Sequence, residues 1–77
     1  MAIGFILITT EPGKEQDVFS QLDSIQYVTN HWMLFGEYDI IARIQADDES
    51  MLTTTIVEKI RPIPGIQDTK TLIGAEL

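Results

Sequence analysis

Residues 2 to 10 are apolar and β-branched with no helical gap pattern, so this stretch reads as a strand. Ile3, Phe5 and Leu7 would point one way, and Gly4, Ile6 and Ile8 the other. Both sets are apolar, as expected of a strand covered on both faces. Glu11-Pro12-Gly13 then breaks the pattern. From Lys14 the apolar positions Val18, Phe19, Leu22 and Ile25 take helical spacing, with Glu15 and Asp17 suiting the dipole of the first turn. The stretch from Ile25 to Phe35 is strand-like through Tyr27, Val28, Thr29, Trp32 and Phe35. Gly36-Glu37-Tyr38-Asp39 is a turn by its Gly and Asp. Ile40 to Ala46 alternates as a second strand, which predicts a hairpin. Asp47-Asp48-Glu49-Ser50 is an acidic, cap-like helix start. Leu52, Ile56, Ile60 and Ile63 continue as an apolar helical stripe until Pro62 and Pro64-Gly65 end it. Ile66 to Ala75 is the last predicted strand.

The order β-α-β-β-α-β predicts an α+β, ferredoxin-like domain over residues 1–77, with an antiparallel sheet and both helices on one face. The two halves echo each other in Ser24-Ile25-Gln26 and Gly65-Ile66-Gln67, each after a helix and opening a strand. One sheet face then lacks cover, and alternation puts Trp32, Leu34 and Ile41 on it. An apolar face of that kind predicts a second chain against it.

Size and composition sharpen this. A 77-residue chain without cysteine cannot be stapled by disulfides or thiolate metal sites, and small domains commonly gain stability by oligomerising. The 44% hydrophobic content and mean hydropathy of +0.07 suit a partly buried surface. Twelve acidic residues against five scattered basic ones give a formal charge of -7, which opposes direct binding to nucleic acid or to an anionic membrane. The N-terminal apolar run falls short of the ~20 residues a membrane helix needs. It also lacks the features of a signal peptide, so a cytoplasmic protein is expected.

The candidate chemistry is sparse. His31 is the single histidine, and no serine sits in a nucleophile-elbow context, so a strand histidine with a satisfied hydrogen bond is the simpler reading. Asp47, Asp48 and Glu49 lack the spacing of a calcium loop and suit a helix start. Glu11-Pro12-Gly13-Lys14 is a turn and not a phosphate loop. No motif calls for a metal or cofactor. Arg43 interrupts an apolar strand. Pairing across the turn would set it opposite Trp32 for a cation-π contact, or it serves the structure by reaching the sheet edge or an acid across a dimer. Thr53-Thr54-Thr55 puts three β-branched residues in mid-helix. Either the helix tolerates them at a few tenths of a kcal/mol each or they mark a functional site. In the Gly36 to Asp39 turn, a Gly can expose backbone amides, an Asp can accept from an ammonium group and a Tyr adds a ring with a polar tip.

Three segments then carry a resemblance. Phe35-Gly36-Glu37-Tyr38-Asp39-Ile40 is similar to the Gly-x-Tyr-Asp hairpin of the effector-binding (RAM) domain of Lrp/AsnC transcription regulators. Asp47-Asp48 resembles that family's second helix start, and Ile63-Pro64-Gly65-Ile66, followed by Thr69 and Thr71, its Pro-Gly-Val entry to the last strand. The resemblance covers nearly the whole chain. It implies a dimeric α/β barrel whose dimers assemble further, with a small effector, usually an amino acid, bound between dimers near the hairpin. It carries that role to Gly36, Tyr38 and Asp39, with Glu37 in the variable position. Thr53 and Thr55 join as candidates with no motif behind them. The chain starts at the first strand, so a stand-alone sensing module without the family's helix-turn-helix domain is expected. Its partners would be an amino acid, further copies of itself and full-length regulators. The rival is a small dimeric α/β-barrel enzyme with His31, Tyr27, Trp32 and Arg43 lining a cavity.

Overall fold

The computed structural model describes residues 1–74. Strand β1 (Ala2–Thr10) is followed by α1 (Glu15–Leu22), β2 (Val28–Met33), β3 (Ile40–Ala46), α2 (Glu49–Thr54) with a π-helical continuation (Thr55–Ile60), and β4 (Ile66–Ile73). The strands pair antiparallel in the order β2-β3-β1-β4, the ferredoxin-like arrangement expected. Ala75, the end of the last predicted strand, lies outside the described residues.

Alternation builds the core. Ile6 and Ile8 of β1 and Ile40, Ala42 and Ile44 of β3 are fully buried on the helix side of the sheet. Val18 and Leu22 of α1 pack there with Leu52, Ile56 and Ile60 from the second helix. Leucine and isoleucine burial of this kind contributes about 1.5–3 kcal/mol per side chain. Asp48 starts α2, its carboxylate accepting the Met51 N–H at 2.8 Å.

The other face of the sheet has no cover within the chain. Trp32, Ile41, Leu7 and Lys70 stand in one cross-strand row, and Asn30, Arg43, Phe5 and Leu72 in the next. Trp32 is 47% exposed and Leu72 48%, at opposite edges of a surface with apolar Ile41, Leu7 and Phe5 between them and Asn30, Arg43 and Lys70 as its polar members. Leu34 lies just past the end of β2 and is exposed as well.

Four expectations need correcting. Strand β2 begins at Val28, not Ile25, because Tyr27 takes φ 78° and the chain turns there. Arg43 faces Asn30, not Trp32. Asp39 stays just outside β3, but its N–H donates to the Ile8 carbonyl at 2.9 Å and its carbonyl accepts from the Leu34 N–H at 2.8 Å, so Met33 and not Phe35 pairs with Ile40 and the register shifts by two. Finally, the echo between halves runs through other residues. Leu22, Ile25, Tyr27 and Val28 correspond in order to Ile60, Ile63, Gly65 and Ile66, with matching turn hydrogen bonds.

Candidate ligand-binding site

The β2–β3 hairpin tip projects beyond the sheet. Phe35 is fully exposed, and Gly36 takes φ 131°, a conformation that side chains resist. A Cβ on Gly36 would meet nothing within 4 Å, so within one protomer the glycine serves the turn and not a close contact. Glu37 is exposed and Tyr38 half-buried.

Asp39 is tied to the neighbouring strand. Its Oδ2 accepts the Thr10 N–H at 2.8 Å and the Thr10 hydroxyl at 3.1 Å. Its Oδ1 makes no hydrogen bond among the described residues. Thr10 is buried, and its double contact fixes the hairpin root against the end of β1. Sequence reasoning missed Thr10. The available signal was a threonine in the helix-facing phase of an otherwise apolar strand. Asp39 lines a groove of about 470 Å³ with Gly13, Glu15, Gln16, Met33, Leu34 and Phe35. Beside an acceptor, these walls offer apolar surface for a ligand body, within the usual size of small-molecule sites.

The threonines lie elsewhere. Thr53 is exposed. Thr55 is buried and donates its hydroxyl to the Met51 carbonyl at 2.8 Å. Such back-bonding loosens a helix. From Thr55 the helix widens, and the Arg61 N–H reaches the Ile56 carbonyl five residues back at 2.9 Å. Thr55 lines a different groove, between the α1–β2 turn and α2, so the structure does not bring the threonines to the hairpin.

The four residues of the enzymatic rival do not converge. His31 and Trp32 are successive in β2 and point to opposite faces. The His31 Nε2 lies 2.7 Å from Asp23 Oδ1, and its ring packs edge-on against Phe19 under the sheet. The other ring nitrogen, Nδ1, is buried without a partner, so the expected satisfied histidine is satisfied on one side only. Arg43 lies on the open face. It donates to Thr29 Oγ1 at 2.8 Å and Gln45 Oε1 at 3.0 Å, which supports its structural reading. Among the described residues no cluster of three or more metal-ligating side chains occurs, and no helix is long and apolar enough to cross a membrane.

Comparison with known proteins gives a consistent picture. The family model for the Lrp/AsnC ligand binding domain matches residues 3–75. The HTH-type transcriptional regulator FL11 of Pyrococcus abyssi (strain GE5 / Orsay) is 30% identical over 71 residues, covering 92% of this chain and 46% of that protein. This chain therefore spans about half the length of the curated relatives it matches. The crystal structure of FFRP-DM1 superposes with a TM-score of 0.92 at 39% identity, covering 97% of this chain and 100% of that one. The transcriptional regulator NMB0573 of Neisseria meningitidis, solved as a complex with L-Met, shares the fold at a TM-score of 0.84 and 16% identity, over 97% of this chain and 50% of its own.

Proposed function

This chain belongs to the Lrp/AsnC ligand-binding domain family, and on that premise we propose that it senses a small amino acid or related metabolite at its β2–β3 hairpin. It is a regulatory ligand-binding module, and its named relatives are transcription regulators and not enzymes. In our reading two sheets close face to face, and dimers assemble further with the effector between them. The signal then passes through assembly, with further copies of the chain or with full-length regulators. The twelve acidic and five basic residues make direct DNA contact by this segment unfavourable.

The single observation that carries the reading is the state of Asp39. One carboxylate oxygen is spent on Thr10, which holds the group rigidly in the groove wall, and the other keeps its lone pairs. A pre-oriented carboxylate is what an effector's ammonium group requires. Gly36, Glu37 and Tyr38 are assigned to the same site by the family hairpin and their position at the tip. Thr53 and Thr55 lie away from it, and a contact with the same effector would need a second copy. The L-Met complex of the Neisseria regulator supports an amino acid as the effector class. A thermal-shift screen of the twenty amino acids, followed by calorimetry of the best hit, tests the proposal, because a ligand that binds the native state raises its apparent stability. No stabilisation by any amino acid would sink it.

A further inference from the structure

We propose that the groove between the α1–β2 turn and α2 is a second binding site, for a small carboxylate with an apolar body, and that Tyr27 is kept in a strained conformation to build it. The first observation is internal. Both halves of the chain leave a helix and enter a strand through the same turn. In one, the N–H groups of Ile63 and Ile66 donate to the carbonyls of Ile60 and Ile63 at 3.0 and 3.3 Å. In the other, those of Ile25 and Val28 donate to Leu22 and Ile25, both at 3.3 Å. Each turn ends on a residue with positive φ immediately before its strand. In the second half that residue is Gly65, at φ 100°. In the first half it is Tyr27, at φ 78°, the one non-glycine residue with positive φ among the described residues. Glycine satisfies this turn without strain, whereas a bulky side chain there costs stability. Only the Tyr27 side chain can offset that cost, by its packing and by what it builds.

The second observation is where that side chain goes. At Gly65 a Cβ would lie 2.9 Å from the Lys14 Cβ, so no side chain fits. At Tyr27 the ring enters a groove of about 450 Å³, with its hydroxyl 3.9 Å from the Met51 sulfur. Ile25, Tyr27 and Met51 give the groove an apolar wall, and the hydroxyl residues Ser50 and Thr54 edge it. Lys59 is the sole charged residue lining it, in a chain of formal charge -7. The change from α- to π-helix at Thr55 falls on the same wall, and such widened turns are frequent at functional sites. An ammonium group beside an apolar wall selects a carboxylate head on an apolar body. The hairpin groove has the opposite polarity, offering the Asp39 carboxylate.

The test uses 3-methylbutanoate, which has no ammonium group for Asp39 to hold, and its neutral amide as control. Titration is followed by backbone amide NMR on the intact protein. We expect shifts at residues 25–27 and 51–55 with the acid, and little with the amide. Lys59→Met should weaken binding about tenfold or more, the loss of one charge-assisted contact. Tyr27→Gly should abolish binding, since it keeps the turn and removes the wall. Several results would overturn the proposal: no binding, shifts confined to residues 35–39, or undiminished affinity in Lys59→Met or in Tyr27→Gly. Shifts confined to residues 35–39 would also count against an ammonium-selective Asp39, whereas the other results leave the hairpin reading untouched.

Discussion

Thr10 and Asp39 are joined twice, the carboxylate accepting both the backbone N–H and the hydroxyl of the threonine, at 2.8 and 3.1 Å. This contact gives Asp39 two separable jobs. Asparagine can still offer Thr10 an oxygen, but not a second anionic one to an ammonium group. Asp39→Asn should therefore hold Tm near wild type and weaken effector binding ten- to a hundredfold, matching about 1.5–3 kcal/mol for a charge-assisted hydrogen bond. Asp39→Ala should also lower stability, by about 1–3 kcal/mol, because the buried Thr10 loses its partner. Calorimetric titration and thermal melts of both variants check this. Wild-type affinity in a correctly assembled Asp39→Asn variant would remove the residue from the site.

The open sheet face predicts an obligate oligomer. Leu7 sits at its centre, opposite Ile41 on one side and Lys70 on the other. Leu7→Asp would bury a carboxylate against the partner's apolar face, so the variant should sediment as monomer or lose its fold. Wild-type protein at micromolar concentration should sediment as a dimer or larger. A stable folded monomer there would defeat the paired-sheet reading.

Two glycines with positive φ should respond differently to alanine. Gly65→Ala combines strain at φ 100° with a Cβ 2.9 Å from Lys14 Cβ and 3.1 Å from Val18 Cγ2. Gly36→Ala meets only the backbone penalty at φ 131°, in open space. The cost of strain alone is about 1–3 kcal/mol, and Gly65→Ala should exceed it. Denaturant melts of the two variants rank them, and equal losses would contradict the geometry. By the same geometry, harm to ligand binding from a side chain at Gly36 would come from the ligand or a second copy and not from its own protomer.

Duplex DNA should not bind this chain. Gel-shift titration at physiological salt should give no complex below micromolar concentration, given the formal charge of -7. A specific complex at lower concentration would reverse that expectation.

Much of the fold was legible because patterning and chemistry agreed locally. β1 and β3 were readable to the residue, since each alternates or runs apolar between clear breakers. Asp48 announced α2 as a cap should. The misses share a cause. Tyr27 favours strands by residue type, yet its backbone is fixed by a turn whose identity appears only when the two halves are superposed. Asp39 ends the turn as its type suggests, but the bonds that fix its backbone and carboxylate come from Ile8 and Thr10, distant in sequence. Missing them displaced Arg43 by two places. The threonine run was visible as a breach of helix propensity, but the wider helix starting at Thr55, where its hydroxyl bonds back to Met51, was not. The hairpin could be picked out by its motif. The groove beside Tyr27 had no sequence signal, because its walls come from a turn and a helix far apart in the chain.

The strand order also governs how the chain is born. β1 lies between β3 and β4, with Ala2 paired to Ala46 and Gly4 to Ile73. As the ribosome releases the chain, its most apolar strand emerges long before either neighbour exists. The native sheet cannot close on both sides of β1 until residue 73 has left the exit tunnel. Through that interval residues 2–10, β-branched and uncharged, are a ready template for wrong pairing. A strand placed first in the chain and central in the sheet therefore waits longest, exposed, for its partners.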